Sequence, residues 1–98
     1  MADPHPPTRL RISEAAVVRE LDGESVILNL DTGIYFGLDA VGTRIWQLID
    51  EHGEVDAVVR AMLDEFDVAA DTLRGDVDAL VAVLLDKQLL VSPRDSAS

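Results

Sequence analysis

Asp31-Thr32-Gly33 is the first place in this chain where residue type and spacing could do chemistry. It is the catalytic tripeptide of aspartic proteases, in which two such carboxylates, one from each half of a dimer, share a proton and activate water. Retroviral-type proteases are dimers of chains about this long, with apolar residues before the motif. Their fold is nearly all strand, however, and residues 39–88 here have a helical period. Asp-Thr-Gly is also ordinary hairpin-turn chemistry, and the turn reading is preferred. His5 and His52 each lack a second ligand at metal-binding helical spacing. Asp64, Glu65, Asp67, Asp71, Asp76 and Asp78 read as solvated faces and helix caps, without the loop glycine and ligand spacing of a calcium site. No Gly-rich phosphate loop follows a strand, and no Ser-His-Asp set is apparent. The reading is a non-catalytic chain that implies no metal and no cofactor.

Composition narrows what it could bind instead. The 98 residues carry 8 Lys and Arg against 19 Asp and Glu, a formal net charge of −11. Nucleic-acid affinity draws on Lys and Arg contacts to phosphates, and anionic membranes attract basic segments, so the charge argues against both partners. Arg9, Arg11 and Arg19 cluster early but make a weak patch. Hydrophobic residues reach 48%, enough for one modest core in one domain. There are no cysteines, which excludes a disulfide framework, a thiolate metal site and a Cys nucleophile. No apolar run approaches the roughly eighteen residues of a membrane span, and the N-terminus lacks the order of a secretion signal. The expected location is the cytoplasm.

The elements that must position any binding residues are legible from punctuation and period. Residues 1–8 and 92–98 read as disordered tails around a domain over 9–91. Val17–Leu21, Val26–Leu30 and Ile34–Leu38 read as strands separated by Asp22-Gly23 and Asp31-Thr32-Gly33, hence an antiparallel meander, with Arg11-Ile12 leading in. Asp39 can cap a helix carrying Val41, Ile45, Trp46, Leu48 and Ile49, ended by Gly53. A second helix covers Val55 to Phe66. A third runs from Ala70 to Lys87 with Leu73, Val77, Leu80, Val81 and Leu84 on one stripe. Leu89-Leu90-Val91 forms a short closing strand or a packed tail. Strands followed by helices give an α+β domain with a three-stranded antiparallel sheet and three helices.

The run from Val26 to Trp46 joins an apolar strand, a turn ending in Gly33, the aromatic strand Ile34-Tyr35-Phe36-Gly37-Leu38, Asp39, and Gly42-Thr43-Arg44-Ile45-Trp46. It resembles the PqqD family, and the likeness continues through Phe66-Asp67-Val68 and Asp76-Val77 to Leu89-Leu90-Val91, covering roughly residues 10–91. Ala69-Ala70 departs from the Asp-Pro-like helix start common in relatives, and Gly75 inside the third helix costs about 1 kcal/mol relative to Ala.

The resemblance implies a winged-helix-like RiPP recognition element. Such domains bind the leader segment of a ribosomally made precursor peptide as an added strand beside the third strand, in a groove shared with the third helix. They serve radical SAM enzymes, or leader peptidases and cyclases such as those of lasso-peptide pathways. The residues expected to hold the peptide are Gly33, Ile34, Tyr35 and Phe36 on the strand side and Leu73, Arg74, Val77, Asp78, Val81 and Leu84 on the helix.

The physics of that mode is strand addition to an edge with unpaired backbone groups. In a meander the third strand is an edge. Tyr35 and Phe36 are adjacent and so face opposite sides; one lines a groove, or the second face meets another helix. Val83 and Leu85 widen the third helix's apolar surface beyond its main stripe. Its second contact is a peptide, a dimer partner or Leu89-Leu90. Arg74 and Asp78 stand one turn apart, suited to selecting charged leader residues or to a solvated ion pair. Two rival readings are a winged-helix transcriptional regulator and a structural subunit of a modifying enzyme. The first conflicts with residues 70–87, where Arg74 and Lys87 face four Asp.

Overall fold

A computed structural model describes residues 9–92. The two tails expected at the termini lie outside the described residues, except Ser92, which is buried with 1% of its surface exposed. In chain order the elements are β1 (Arg11–Ile12), β2 (Ala16–Leu21), β3 (Glu24–Asn29), β4 (Tyr35–Leu38), α1 (Ala40–His52), α2 (Val55–Glu65), α3 (Ala70–Asp86) and β5 (Leu90–Val91). Strands β2, β3 and β4 form an antiparallel sheet in that order, and three helices follow it.

Asp22 and Gly23 both take positive φ, at 56° and 84°, which is the requirement of a two-residue hairpin turn whose twist matches its strands. The turn sets Leu21 opposite Glu24 and so fixes the β2–β3 register. Asp39 caps α1, its carboxylate accepting from the Gly42 N–H at 2.8 Å. Gly53 ends that helix at φ 70°, its N–H donating to the Ile49 carbonyl oxygen. α3 begins at Ala70 after an Ala69 that supplies no side-chain cap, and Gly75 lies within the helix.

Alternation along β3 puts Ser25, Ile27 and Asn29 on the buried side of the sheet, and Phe36 and Leu38 follow on β4. Against them pack Trp46, Leu48 and Ile49 of α1, Val58 and Met62 of α2, and Leu73, Val77, Val81 and Leu84 of α3. Full burial of such a side chain contributes roughly 1.5–3 kcal/mol, so this helix layer holds the sheet. Ser25 and Thr43 share a buried hydroxyl–hydroxyl hydrogen bond of 2.8 Å that joins β3 to α1.

The first and last strands of the described residues are tied together. β1 pairs antiparallel with β5 in a small second sheet, Arg11 opposite Val91 and Ile12 opposite Leu90. The closing segment is therefore a strand, and Leu90 within it and Leu89 just ahead of it are buried. Leu10 donates its N–H to the Gly53 carbonyl oxygen at 2.7 Å, anchoring the N-terminal segment to the end of α1.

Candidate functional site

β4 is a sheet edge. Among the described residues its backbone pairs with β3 alone, Leu38 opposite Ser25 and Tyr35 opposite Leu28. The Asn29 N–H donates to the Ile34 carbonyl oxygen at 2.8 Å. Bonded and non-bonded pairs alternate along an antiparallel ladder. Phe36 and Leu38 therefore direct their backbone groups at β3, as Ile34 does its carbonyl while its N–H donates to the Thr32 hydroxyl, and Tyr35 and Gly37 turn theirs to the open side. Two N–H donors and two carbonyl acceptors face outward, spaced to pair with a fourth strand.

A groove of about 440 Å³ lies along this edge. Phe36, Gly37, Leu38 and Asp39 form one wall, Val41, Gly42 and Ile45 of α1 form the floor, and Asp76 and Leu80 of α3 form the far wall. Lys87, just past α3, sets its ammonium 5.5 Å from the centroid of the Phe36 ring, within reach of a cation–π contact. The groove is apolar inside, with the carboxylates of Asp39 and Asp76 along it.

The residues expected from sequence are divided by this arrangement. Tyr35 and Phe36 lie on the edge strand, facing opposite ways. Phe36 is half-buried against the core and lines the groove, whereas Tyr35 is 72% exposed on the outer face of the sheet. Gly33 precedes the strand, with φ 77° and its N–H on the Asn29 carbonyl oxygen. Ile34 is exposed and its carbonyl serves β3.

On α3, Leu73, Val77, Val81 and Leu84 are buried in the core. They form the centre of the apolar stripe, whereas the groove meets its border, at Asp76 and Leu80. Residues two apart on a helix differ by about 200° around its axis, so Arg74 and Asp78 sit on the side away from Asp76. There the Arg74 guanidinium meets Asp56 of α2 at 2.7 Å and Asp78 at 3.6 Å. These two residues are engaged with each other and with α2, not with the groove. Helical phase measured from Val77 puts Asp76 and Leu80 on one border of the stripe and Arg74 and Asp78 on the other, and only the packing shows which border meets the groove.

Asn29 carried no functional signal in the sequence, yet it organises the turn that launches β4. Its buried carboxamide oxygen accepts from the Asp31 N–H at 2.8 Å and the Thr32 N–H at 3.2 Å. Its amide donates to the Gln88 carbonyl oxygen at 2.9 Å and to that of Lys87 at 3.4 Å. Asp31-Thr32-Gly33 is thus a hairpin turn, exposed throughout. His52 is exposed at the end of α1, and His5 lies outside the described residues. Among the described residues no group of three His, Cys, Asp or Glu is placed to hold a metal ion. No helix among them is long and apolar enough to cross a membrane.

Known proteins resemble this chain in sequence and in fold. A family model described as "Coenzyme PQQ synthesis protein D (PqqD)" matches residues 24–90. A solved structure titled "TbiB1 in Complex with the TbiA(beta) Leader Peptide" is 42% identical, with a TM-score of 0.77 over 82% of this chain and 93% of that one. A second, titled "Lasso peptide synthetase B1 complexed with the leader peptide", shares the fold at 22% identity, with a TM-score of 0.75 over 85% of this chain and 98% of that one. No curated relative matches the sequence.

Proposed function

The chain belongs to the PqqD family, and on that premise we propose that it binds the leader segment of a ribosomally made precursor peptide and presents it to a modifying enzyme, with no chemistry of its own. The observation that carries this reading is the open β4 edge, with the backbone groups of Tyr35 and Gly37 directed outward, beside the groove between Phe36 and Leu80. The solved relative at 42% identity is a leader-peptide complex, which supports the same occupant here.

The leader adds as a fourth strand. Each net backbone hydrogen bond contributes on the order of 0.5–1.5 kcal/mol. Ordering a flexible peptide opposes that gain, so side chains on one face of the leader must also fill the groove over Val41, Ile45 and Leu80. The contacting set is Tyr35, Phe36 and Gly37 on the strand and Asp76 and Leu80 on the helix. Of the residues expected from sequence, Gly33 and Ile34 shape the start of the strand, and Leu73, Val77, Val81 and Leu84 support the far wall from behind.

The receiving enzyme is a leader peptidase and cyclase pair of the lasso-peptide type, or a radical SAM enzyme, and the complex forms in the cytoplasm. A fluorescent copy of the leader from the precursor gene beside this one should bind with low-micromolar or better affinity. Its amide shifts should concentrate in residues 35–39 and at Asp76 and Leu80. Absence of binding by any neighbouring leader would overturn the reading.

A further inference from the structure

The sheet has a second face, turned away from the helices. β2, β3 and β4 place Val17, Arg19, Leu21, Val26, Leu28 and Tyr35 there. Leu21 is 76% exposed, Tyr35 72%, Val26 49% and Val17 43%. Two shallow depressions, of about 510 and 460 Å³, share Arg19 and Val26 and run from Leu21 across to Tyr35. Scattered exposed apolar residues need no explanation, but a contiguous apolar face marks an interaction surface.

Charge selects the occupant. Glu24 and Asp39 border the larger depression, and Asp22 and Asp31 stand exposed in the turns at the two ends of the strands. Arg19 is the single cation on the face and makes no ion pair among the described residues. A second copy would bring another net charge of −11 and an identical acidic rim against this one. Like charges set opposite each other across an interface cost affinity. A partner with Lys and Arg around an apolar patch meets the opposite condition.

The face is also continuous with the β4 edge. A strand added beside Tyr35 and Gly37 alternates its side chains, and every second one emerges beside Tyr35 on this outer surface. We propose that the outer sheet face is the docking surface for the modifying enzyme, which seats an apolar patch flanked by basic residues on Val17, Leu21, Val26 and Tyr35 and touches the bound leader strand at the same time. The leader-touching half of this proposal rests on the reading of β4 as the peptide site; the docking face itself does not. The enzyme would then hold a loaded chain more tightly than an empty one.

The test uses the full chain and the leader-processing enzyme encoded beside its gene, with affinity read by biolayer interferometry. Val26→Asp and Leu21→Asp each should weaken enzyme binding at least tenfold, while leader binding by fluorescence polarisation stays within twofold and circular dichroism is unchanged. Leu21 lies at a hairpin turn and is mostly exposed, so its variant keeps the test open if Val26→Asp misfolds. Asp22→Lys with Glu24→Lys should weaken enzyme binding too, and added salt should weaken the wild type. Unchanged enzyme affinity in both apolar variants would overturn the proposal. So would a wild-type dimer in sedimentation equilibrium that Val26→Asp dissolves, since the face would then belong to a second copy. Loss of enzyme binding in these variants from a chain that binds no leader would uphold the docking face and sink the peptide reading alone.

Discussion

The buried side-chain amide of Asn29, at the end of β3, donates to the carbonyl oxygen of Gln88, 59 residues away and just past α3, at 2.9 Å. This bond joins the strand beside the edge strand to the segment that follows α3. The same side chain holds the turn from which β4 departs, and the segment it reaches carries Lys87 over the Phe36 ring. One carboxamide therefore ties the turn that starts the edge strand to the chain leaving α3.

Asn29→Ala should destabilise the chain by about 1–3 kcal/mol, the cost of leaving buried polar groups without their partner. In urea the midpoint should fall with the slope unchanged. Leader affinity should fall as well, because the turn before β4 loses its two accepted N–H bonds. Asn29→Asp should not restore stability, since a carboxylate supplies the acceptor but faces the carbonyl oxygens of Lys87 and Gln88. Recovery in that variant would show that only the turn bonds matter.

Arg44 forks onto Glu65, with Nε and Nη2 at 2.7 and 2.6 Å from the two carboxylate oxygens, and so ties α1 to the end of α2. The guanidinium, through its hydrogen bond first, holds the Glu65 carboxyl below its ordinary pKa of 4.5. A depressed folded pKa means the stabilisation is complete above 4.5 and is lost as pH falls through the folded value. Glu65→Gln should therefore melt slightly below the wild type at pH 7. The two melting curves should converge as the pH drops below 4.5, and salt should narrow the gap at neutral pH. A gap that persists at pH 2 would assign the effect to packing.

Leu80 and Val81 are neighbours on α3 with different surroundings. Leu80 lines the groove and is half-buried, whereas Val81 is 7% exposed in the core. Leu80→Asp should lower leader affinity at least tenfold and leave a cooperative unfolding transition. Val81→Asp should cost about 3 kcal/mol or more by burying a carboxylate without a partner, enough to threaten the fold of a small domain. If Val81→Asp keeps its stability and loses only peptide affinity, the buried centre of the stripe is the binding surface after all.

Legibility in the sequence followed the range of the interaction. Asp22-Gly23, the Asp39 cap and the Gly53 terminus act within a few residues, and each placed an element boundary correctly. Binary pattern placed three strands of the main sheet and three helices. It could not say which of Tyr35 and Phe36 faces inward, because alternation fixes their opposition and not its sign. It chose Leu73, Val77, Val81 and Leu84 for the site, because apolar periodicity finds the middle of a buried stripe. Groove walls are built from the stripe's border, where Asp76 beside Leu80 breaks the pattern. Arg74 and Asp78 were one turn apart in either reading, but only the packing of α2 shows that Asp56 engages Arg74. Asn29 and the β1–β5 pairing depend on contacts across most of the chain, which no local signal encodes.

Gly37 gives the most direct test of strand addition. Its N–H and carbonyl face the open edge, so proline there removes a donor offered to the incoming peptide without removing a β3–β4 bond. Its neighbours Phe36 and Leu38 carry the ladder to Ile27 and Ser25 and remain intact. A Cβ at this position meets nothing within 4 Å, so Gly37→Ala should bind the leader like the wild type. Gly37→Pro should lose at least the one hydrogen bond, about 0.5–1.5 kcal/mol or roughly 2- to 12-fold in affinity, with further loss where the ring displaces the added strand. Both variants should unfold within a few degrees of the wild type. Equal affinity in Gly37→Pro and Gly37→Ala, measured by fluorescence polarisation, would mean that the leader does not pair along this edge and that the groove alone holds it.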